Sequence, residues 1–417
     1  ILREDINDAW KDVYYQLGRN KQNPLSDDDF LTAHWIMYFQ YTRQKGDDYI
    51  KFLLEEKFTP QNVFNKTEVK LDSIADITEI RDQDVEEETE ENGTEEKVVM
   101  RAKLAPKEIS DYVKSLQSAA VHWYNSFNPL NNSDLTKEEQ IWLDRLNRIG
   151  IAYFRPLVVA SYVRADISTA SRVKLFKEIE RFIFIAFRVG RALSTYRNSE
   201  YYRLTKQLRN GDISVDEICN TLKARIEEWL SPETAFDIQP FKSYIGRHYK
   251  NGGGFYWWNG LHYFLYEYEQ EKVMQNGNQK IDWTLFIKSE KDKVSIEHIY
   301  PQTPDNDYWK NAFANYTEEQ KKYLTGSLGN LLPLSSSKNS SMQNDSFPDK
   351  KSPVGKSHKG YTDGSHSEIE VAAYADWNAD NILERGIKLI DFMERRWNMK
   401  FASPESKKEM LFLDFLP

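Results

Sequence analysis

The chain has a single cysteine, Cys219, in 417 residues, which excludes an intrachain disulfide framework and any multi-cysteine zinc site. It has no apolar run of about eighteen residues or more, so no membrane-spanning helix is expected. An excess of positive charge is also missing: 56 Lys and Arg stand against 65 Asp and Glu, a formal net charge of −9. Such a balance excludes a coat protein that binds polyanions by bulk electrostatics, while leaving room for a local basic groove on an acidic body. Two phosphate-loop signatures are incomplete. Gly252-Gly253-Gly254 has no lysine in the required place, and Gly355-Lys356-Ser357 needs a glycine where Lys350 stands. The residues open Ile1-Leu2-Arg3-Glu4-Asp5, with neither an initiator methionine nor a signal-peptide pattern. An amphipathic stretch already under way there leads us to expect a preceding N-terminal part. The lone thiol leads us to expect a cytoplasmic setting.

What the sequence does hold is mostly helical periodicity. Ile6, Trp10, Val13 and Leu17 fall on one face of a helix. Residues 26–57 open with Ser26 and three aspartates, a helix-start signal, and run on through Trp35, Met37, Tyr38 and Phe39, which read as core. Residues 82–97 are an acidic run with almost nothing to bury and are expected to be a flexible loop. From Pro106 to about Gln270, apolar residues recur at helical spacing in 107–124, 137–148, 171–193, 215–229 and 258–269. Phe182, Phe184, Ile185 and Phe187 make one of these helices apolar nearly all round, hence central. Arg181, Arg188 and Arg191 beside it read as structural pairs rather than phosphate contacts. Near Lys280 the composition turns to Asn, Ser, Pro and Lys with short apolar runs at 283–287 and 331–334, before a closing helix over 377–397. The expected fold is mainly α, with a large helical region over 1–270 followed by a small α+β domain over 280–417.

Chemistry is concentrated in Ser295-Ile296-Glu297-His298-Ile299-Tyr300-Pro301-Gln302, answered by Leu328-Gly329-Asn330 and then by Lys338-Asn339. Val294 and Ile296 alternate as in a strand, and Ile299-Tyr300-Pro301 breaks it, so His298 belongs near a strand end. An imidazole is the side chain whose ordinary pKa leaves a usable base near neutral pH. Glu297 points to the other face of a regular strand, so a bend or bulge is needed for both side chains to address one phosphate. Asn330 and Asn339 flank a second expected strand at 331–334, and their carbonyls are hard donors suited to Mg²⁺ or Mn²⁺. With no cysteine here and no second histidine at metal spacing, zinc is a poor fit. His358 and His366 lie in a Gly/Ser-rich loop and are set aside.

These motifs, with Asn344, Phe347, Lys350-Lys351, Ser367-Glu368 and the helix carrying Trp377, Ile382, Arg385, Leu389 and Trp397, resemble the His-Asn-His nucleases with a ββα-metal core. The closer resemblance is to the C-terminal nuclease part of GmrSD-type modification-dependent restriction enzymes, and it covers about 280–417. It implies an Mg²⁺- or Mn²⁺-dependent DNA endonuclease or nickase of restriction and phage defence, acting on DNA that includes modified phage DNA. It implies His298 as general base, Glu297 and Asn339 as metal ligands, and Asn330 as the central asparagine that holds the loop and the histidine. Asn344, Lys350 and Lys351 match positions that contact phosphate or shape the site. Many relatives have aspartate where Glu297 stands. The resemblance also implies an N-terminal nucleotide-hydrolysing domain, whose motif is not found here, and makes 1–270 the helical middle region. The alternative reading is a catalytically inactive DNA-binding or protein-interaction scaffold on the same fold. Cleavage of RNA is a third.

Overall fold

Local capping sets where the helices begin. Ser26 accepts from the Asp29 amide at the head of Asp27–Tyr38, whose first turn carries Asp27, Asp28 and Asp29, the sign that favours a helix N-terminus. Thr136 and Glu139 close a reciprocal capping box on Lys137–Ile149. The computed structural model describes residues 2–21, 23–39, 49–70, 98–230, 236–278, 294–355 and 359–417. The expected acidic loop at 82–97, the run 283–287 and His358 lie outside the described residues.

The chain divides into two compact units. In the first, residues 1–177 and 195–220, helix Leu2–Gly18 packs along Pro106–Phe127, and Asn198–Asn210 packs on Arg155–Val163 and Asp27–Tyr38. Its buried Glu139 is held by Arg172 at 2.8 Å and by its own cap, so the carboxylate is not left without partners. A short hairpin, β1 (Lys66–Lys70) with β2 (Val98–Ala102), pairs antiparallel in this unit. It is not among the expected elements.

The second unit comprises residues 178–194 and 221–417. The segment expected to be central is a π-helix, Ile183–Val189, with Phe184 and Ile185 fully buried. Phe184 stacks on Trp397 with ring centroids 3.5 Å apart. Beneath them the buried Glu180 accepts from the Tyr263 hydroxyl at 2.6 Å, the Trp397 indole at 2.9 Å and Arg396 at 3.1 Å. Arg181 donates to the Trp397 and Asn398 carbonyls, a structural use in keeping with its sequence reading. Helix Leu261–Asn276 packs against His366–Ala372, where the fully buried Glu269 accepts from the His366 and Ser367 amides at 2.9 and 2.8 Å. Helices Gln239–Lys250 and Leu261–Asn276 therefore share a unit with the motif residues, and the composition change near 270–282 is not a boundary between units. The reason is packing: Leu261–Asn276 is buried along much of its length and lies against β4.

The motif residues sit in a strand–strand–helix arrangement. β3 (Val294–His298) pairs antiparallel with β4 (Leu331–Ser335), in a register running from Val294 opposite Ser335 to His298 opposite Leu331. Helix Ser336–Met342 follows β4 directly, capped by Ser335. The chain is mainly α with a small α+β part, and no helix among the described residues is long and apolar enough to cross a membrane.

Candidate functional site

His298 is the last residue of β3, where the alternating apolar pattern gives way to Ile299-Tyr300-Pro301. The turn beyond it is fastened by Asn330, which is fully buried. Its carbonyl oxygen accepts from the Tyr300 amide at 2.8 Å and the Trp377 indole at 3.1 Å. Its amide nitrogen donates to the Tyr300 carbonyl at 2.9 Å and the Thr325 carbonyl at 3.0 Å. This uses both protons of the amide and both lone pairs of its oxygen on the protein, so Asn330 positions and has no capacity left for substrate. Gly329, just before it, lies so close to helix Ala379–Trp397 that a Cβ would come within 2.0 Å of the Ile382 carbonyl. Arg385 of that helix, itself fully buried, donates to the Gly329 and Leu331 carbonyls at 2.7 and 2.8 Å.

The pairing of β3 is regular through His298, so adjacent side chains point to opposite faces. No bulge intervenes to bring Glu297 and His298 together. On the Glu297 face, Lys350 donates to the carboxylate at 2.5 Å, and the Tyr361 hydroxyl reaches the same oxygen at 3.3 Å. Burial pushes the Glu297 carboxyl up from its ordinary value, against the pull of the ammonium and the hydroxyl. Ser295 shares this face by strand alternation, and Asn339 donates to its hydroxyl at 2.8 Å. Asn339, in Ser336–Met342, is thereby directed toward the side of the strand that bears Glu297.

On the opposite face the His298 ring stacks on Tyr256, with centroids 4.9 Å apart. Its Nε2 is enclosed and has no hydrogen-bond partner. Burial, reinforced by the nearby Lys350 ammonium, pushes the imidazole down to about 4, so the ring is neutral at pH 7. An orphaned ring nitrogen at a strand end is a polar atom without its partner, and in the tautomer protonated on Nδ1 it is an acceptor. Such a buried polar atom costs on the order of 1–3 kcal/mol until water or a ligand meets it.

Lys350 is fully buried, and besides Glu297 it donates to the His298 and Ile299 carbonyls at 3.2 and 3.1 Å. Lys351 donates to the Tyr374 carbonyl at 2.9 Å. Asn344 is half-buried, and its backbone carbonyl accepts from Asn306 at 3.3 Å. The structure thus draws Glu297, Lys350 and Asn339 toward one face of β3, sets His298 on the other, and leaves Lys351 on the Tyr374 carbonyl and the Asn344 backbone carbonyl on the Asn306 side chain. Sequence reasoning missed Tyr256, Tyr361 and Ser295. Ser295 lies inside the motif and could have been found from strand alternation. Tyr361 stands 64 residues from Glu297 and carries no local signal.

The donor set suits a hard cation only in part. Among the described residues no three His, Cys, Asp or Glu side chains cluster to hold a metal ion. Glu297 and Asn339 supply hard oxygens, but the Lys350 ammonium already balances the carboxylate charge. An ion held there would need the negative charge of a substrate phosphate to complete its shell.

Residues 245–392 match the family model described as GmrSD restriction endonucleases, C-terminal domain. This part of the chain is similar to that domain. The match takes in Tyr256, the whole β3–β4–helix arrangement and most of Ala379–Trp397. Comparison with curated proteins finds no match. The similarity points to a restriction-endonuclease module, and it begins upstream of the region in which the motifs resemble that family.

Proposed function

We propose that the second unit is a metal-dependent DNA endonuclease or nickase module of the His-Asn-His type, serving restriction and phage defence in the cytoplasm. The observation that carries this reading is His298: a neutral, unpartnered imidazole at the end of a strand whose neighbouring residue is a carboxylate. In this reading His298 Nε2 takes the proton from the water that attacks the phosphodiester. Glu297 and Asn339, on the other face of β3, would hold one Mg²⁺ or Mn²⁺, which when bound supplies charge stabilisation at the phosphate and the leaving oxygen. For that ion and His298 to address one phosphate, the strand end has to bend when DNA binds, since its pairing here is regular. Asn330 keeps the turn after His298 in place, and Tyr256 fixes the plane of the imidazole by stacking. Lys350 orients Glu297 and clamps the strand end through two carbonyls. The substrate is DNA, modified phage DNA included.

The test is nicking of supercoiled plasmid, modified and unmodified, with Mg²⁺ or with chelator, by the parental chain and by His298→Ala. Loss of a general base costs about 10²–10⁴-fold, enough to erase the nicked band. Equal cutting by His298→Ala overturns the assignment. A second reading, a binding scaffold without catalysis, is favoured by two observations: Glu297 is already paired with Lys350, and Nε2 is enclosed. Absence of Mg²⁺-dependent nicking by the parental chain on any DNA moves that reading ahead.

A further inference from the structure

Near the strand pair the lysines are spoken for. Lys350 holds Glu297, Lys351 holds a carbonyl, and Lys338 is paired with Glu368 and with the Gly360 carbonyl. Positive charge without a carboxylate partner lies elsewhere in the second unit. The Arg191 guanidinium rests 3.8 Å over the Tyr244 ring and donates to the Phe187 carbonyl at 3.3 Å and to Asn259 at 3.1 Å. Arg247, exposed in the last turn of Gln239–Lys250, approaches the same ring at 6.0 Å. His248 packs edge-on against Tyr244, and the charged groups that face it are Arg191 and Arg247. Among the described residues no carboxylate pairs with either arginine.

This basic patch is joined to His298 by aromatic rings. The Tyr244 hydroxyl donates to the Trp257 carbonyl at 3.3 Å. The Trp257 ring, 57% exposed, meets Tyr256 edge-on at 5.3 Å, and Tyr256 stacks on His298. The backbone is shaped for this display. Arg191 follows the π-helix and adopts φ 62, a left-handed conformation that a side chain other than glycine takes at an energetic cost and that gathers at functional sites. Gly254 has φ 52, and a Cβ on Gly253 would fall within 1.6 Å of the Trp257 ring. Gly253 is therefore required by the Trp257 ring, while Gly254 lies against Tyr249 and the Gly326 carbonyl. A basic residue at a helix C-terminus also complements the helix dipole, which accounts in part for Arg247 in the last turn of Gln239–Lys250 and for Arg191, which donates to the Phe187 carbonyl at the end of the π-helix. Neither accounts for the exposed indole beside them.

Guanidinium groups without acid partners, an exposed indole and a route of rings to the candidate base have the make-up of a strand-binding surface, where phosphates meet cations and an unstacked base meets an aromatic face. We propose that Arg191, Arg247 and Trp257 form a DNA-binding surface that leads a strand to His298, an inference that rests on the nuclease reading for the identity of the bound polymer. The arginines meet successive phosphates, and Trp257 stacks on one base. The body of the protein is acidic, at net charge −9, so this local patch rather than bulk charge does the binding.

Anisotropy of a fluorescein-labelled single-stranded DNA, titrated with the full chain in EDTA over a salt series, tests the surface without cleavage. Arg247→Ala and Arg191→Ala should each reduce the slope of log K against log salt by about 0.7, the value for one single-strand phosphate contact. Trp257→Ala should weaken binding roughly 5- to 150-fold, the range for one base–aromatic stack. Arg247→Lys should keep the parental slope. Arg247 and Trp257 are exposed, so their variants test the surface even if Arg191→Ala fails to fold, which circular dichroism shows. Parental affinity and slope in both Arg247→Ala and Trp257→Ala overturn the proposal. A parental chain that never nicks plasmid, with binding lost in these variants, sinks the nuclease reading and leaves the surface standing.

Discussion

Replacing Lys350 by methionine removes the cation from a pair in which the lysine side chain is 0% and the glutamate side chain 5% exposed. Breaking one side of a buried ion pair costs about 3–5 kcal/mol, because the remaining charge is left in a low-dielectric interior. Here the loss also strips the donor from the His298 and Ile299 carbonyls. The sign with pH follows from Glu297. Its folded pKa already lies above the ordinary value because of burial, and Lys350 is the strongest influence holding it down. Without the ammonium that pKa climbs further. A carboxyl raised in the fold binds more protons folded than unfolded, so stability falls as pH rises from the ordinary carboxylate value toward the folded one. Lys350→Met should therefore lose more stability at pH 8 than at pH 5. Urea unfolding followed by tryptophan fluorescence at both pH values measures this, with Glu297→Gln placed on the parental and the variant chain to complete a cycle. Glu297→Gln should recover most of the loss in the Lys350→Met background, since a neutral amide needs no counter-charge. If Lys350→Met lies within about 1 kcal/mol of the parent at pH 8, the size of a surface-exposed pair, the buried pair is not formed and its orienting role falls with it.

Asn330→Ala should cost about 3–5 kcal/mol, since it leaves the Tyr300 amide and the Trp377 indole without their acceptor; denaturant midpoints report it. His298, near 6.5 unfolded and about 4 folded, makes the unfolded state bind more protons between those values, so stability should drop by roughly 3 kcal/mol from pH 7 to pH 4. His298→Phe should flatten that limb of the stability curve, and an unchanged curve refutes the shift. For the same reason the cleavage rate should not fall through loss of the free base between pH 8 and pH 6, which a pH–kcat/KM profile checks. Mg²⁺ should bind measurably only with DNA present, because Lys350 balances Glu297; calorimetry showing tight Mg²⁺ uptake by the free protein would count against that balance.

Local pattern carried much of the molecule. Helical spacing in 107–124, 137–148 and 215–229 matches Pro106–Phe127, Lys137–Ile149 and Val215–Ile226, because a buried face repeats every three or four residues wherever a helix lies on a core. Alternation at Val294 and Ile296, the break at Pro301 and the apolar run at 331–334 located both strands of the pair, with His298 at the end of one. That Gly253 makes room for the Trp257 ring is shown only by the fold. Helix Asn198–Asn210 and the β1–β2 hairpin are not among the elements expected from the sequence. The grouping of Gln239–Lys250 and Leu261–Asn276 with the motif residues was decided by long-range burial, which composition does not record. The same holds for the side chains around the site. Strand geometry foretold that Glu297 and His298 face opposite ways, since that follows from adjacent residues alone. That Lys350 would turn inward to Glu297, and that Tyr361 and Tyr256 would close the two faces, depended on segments far apart in sequence. A lysine reads alike whether it meets a phosphate or a buried carboxylate, and only the packing around it decides which.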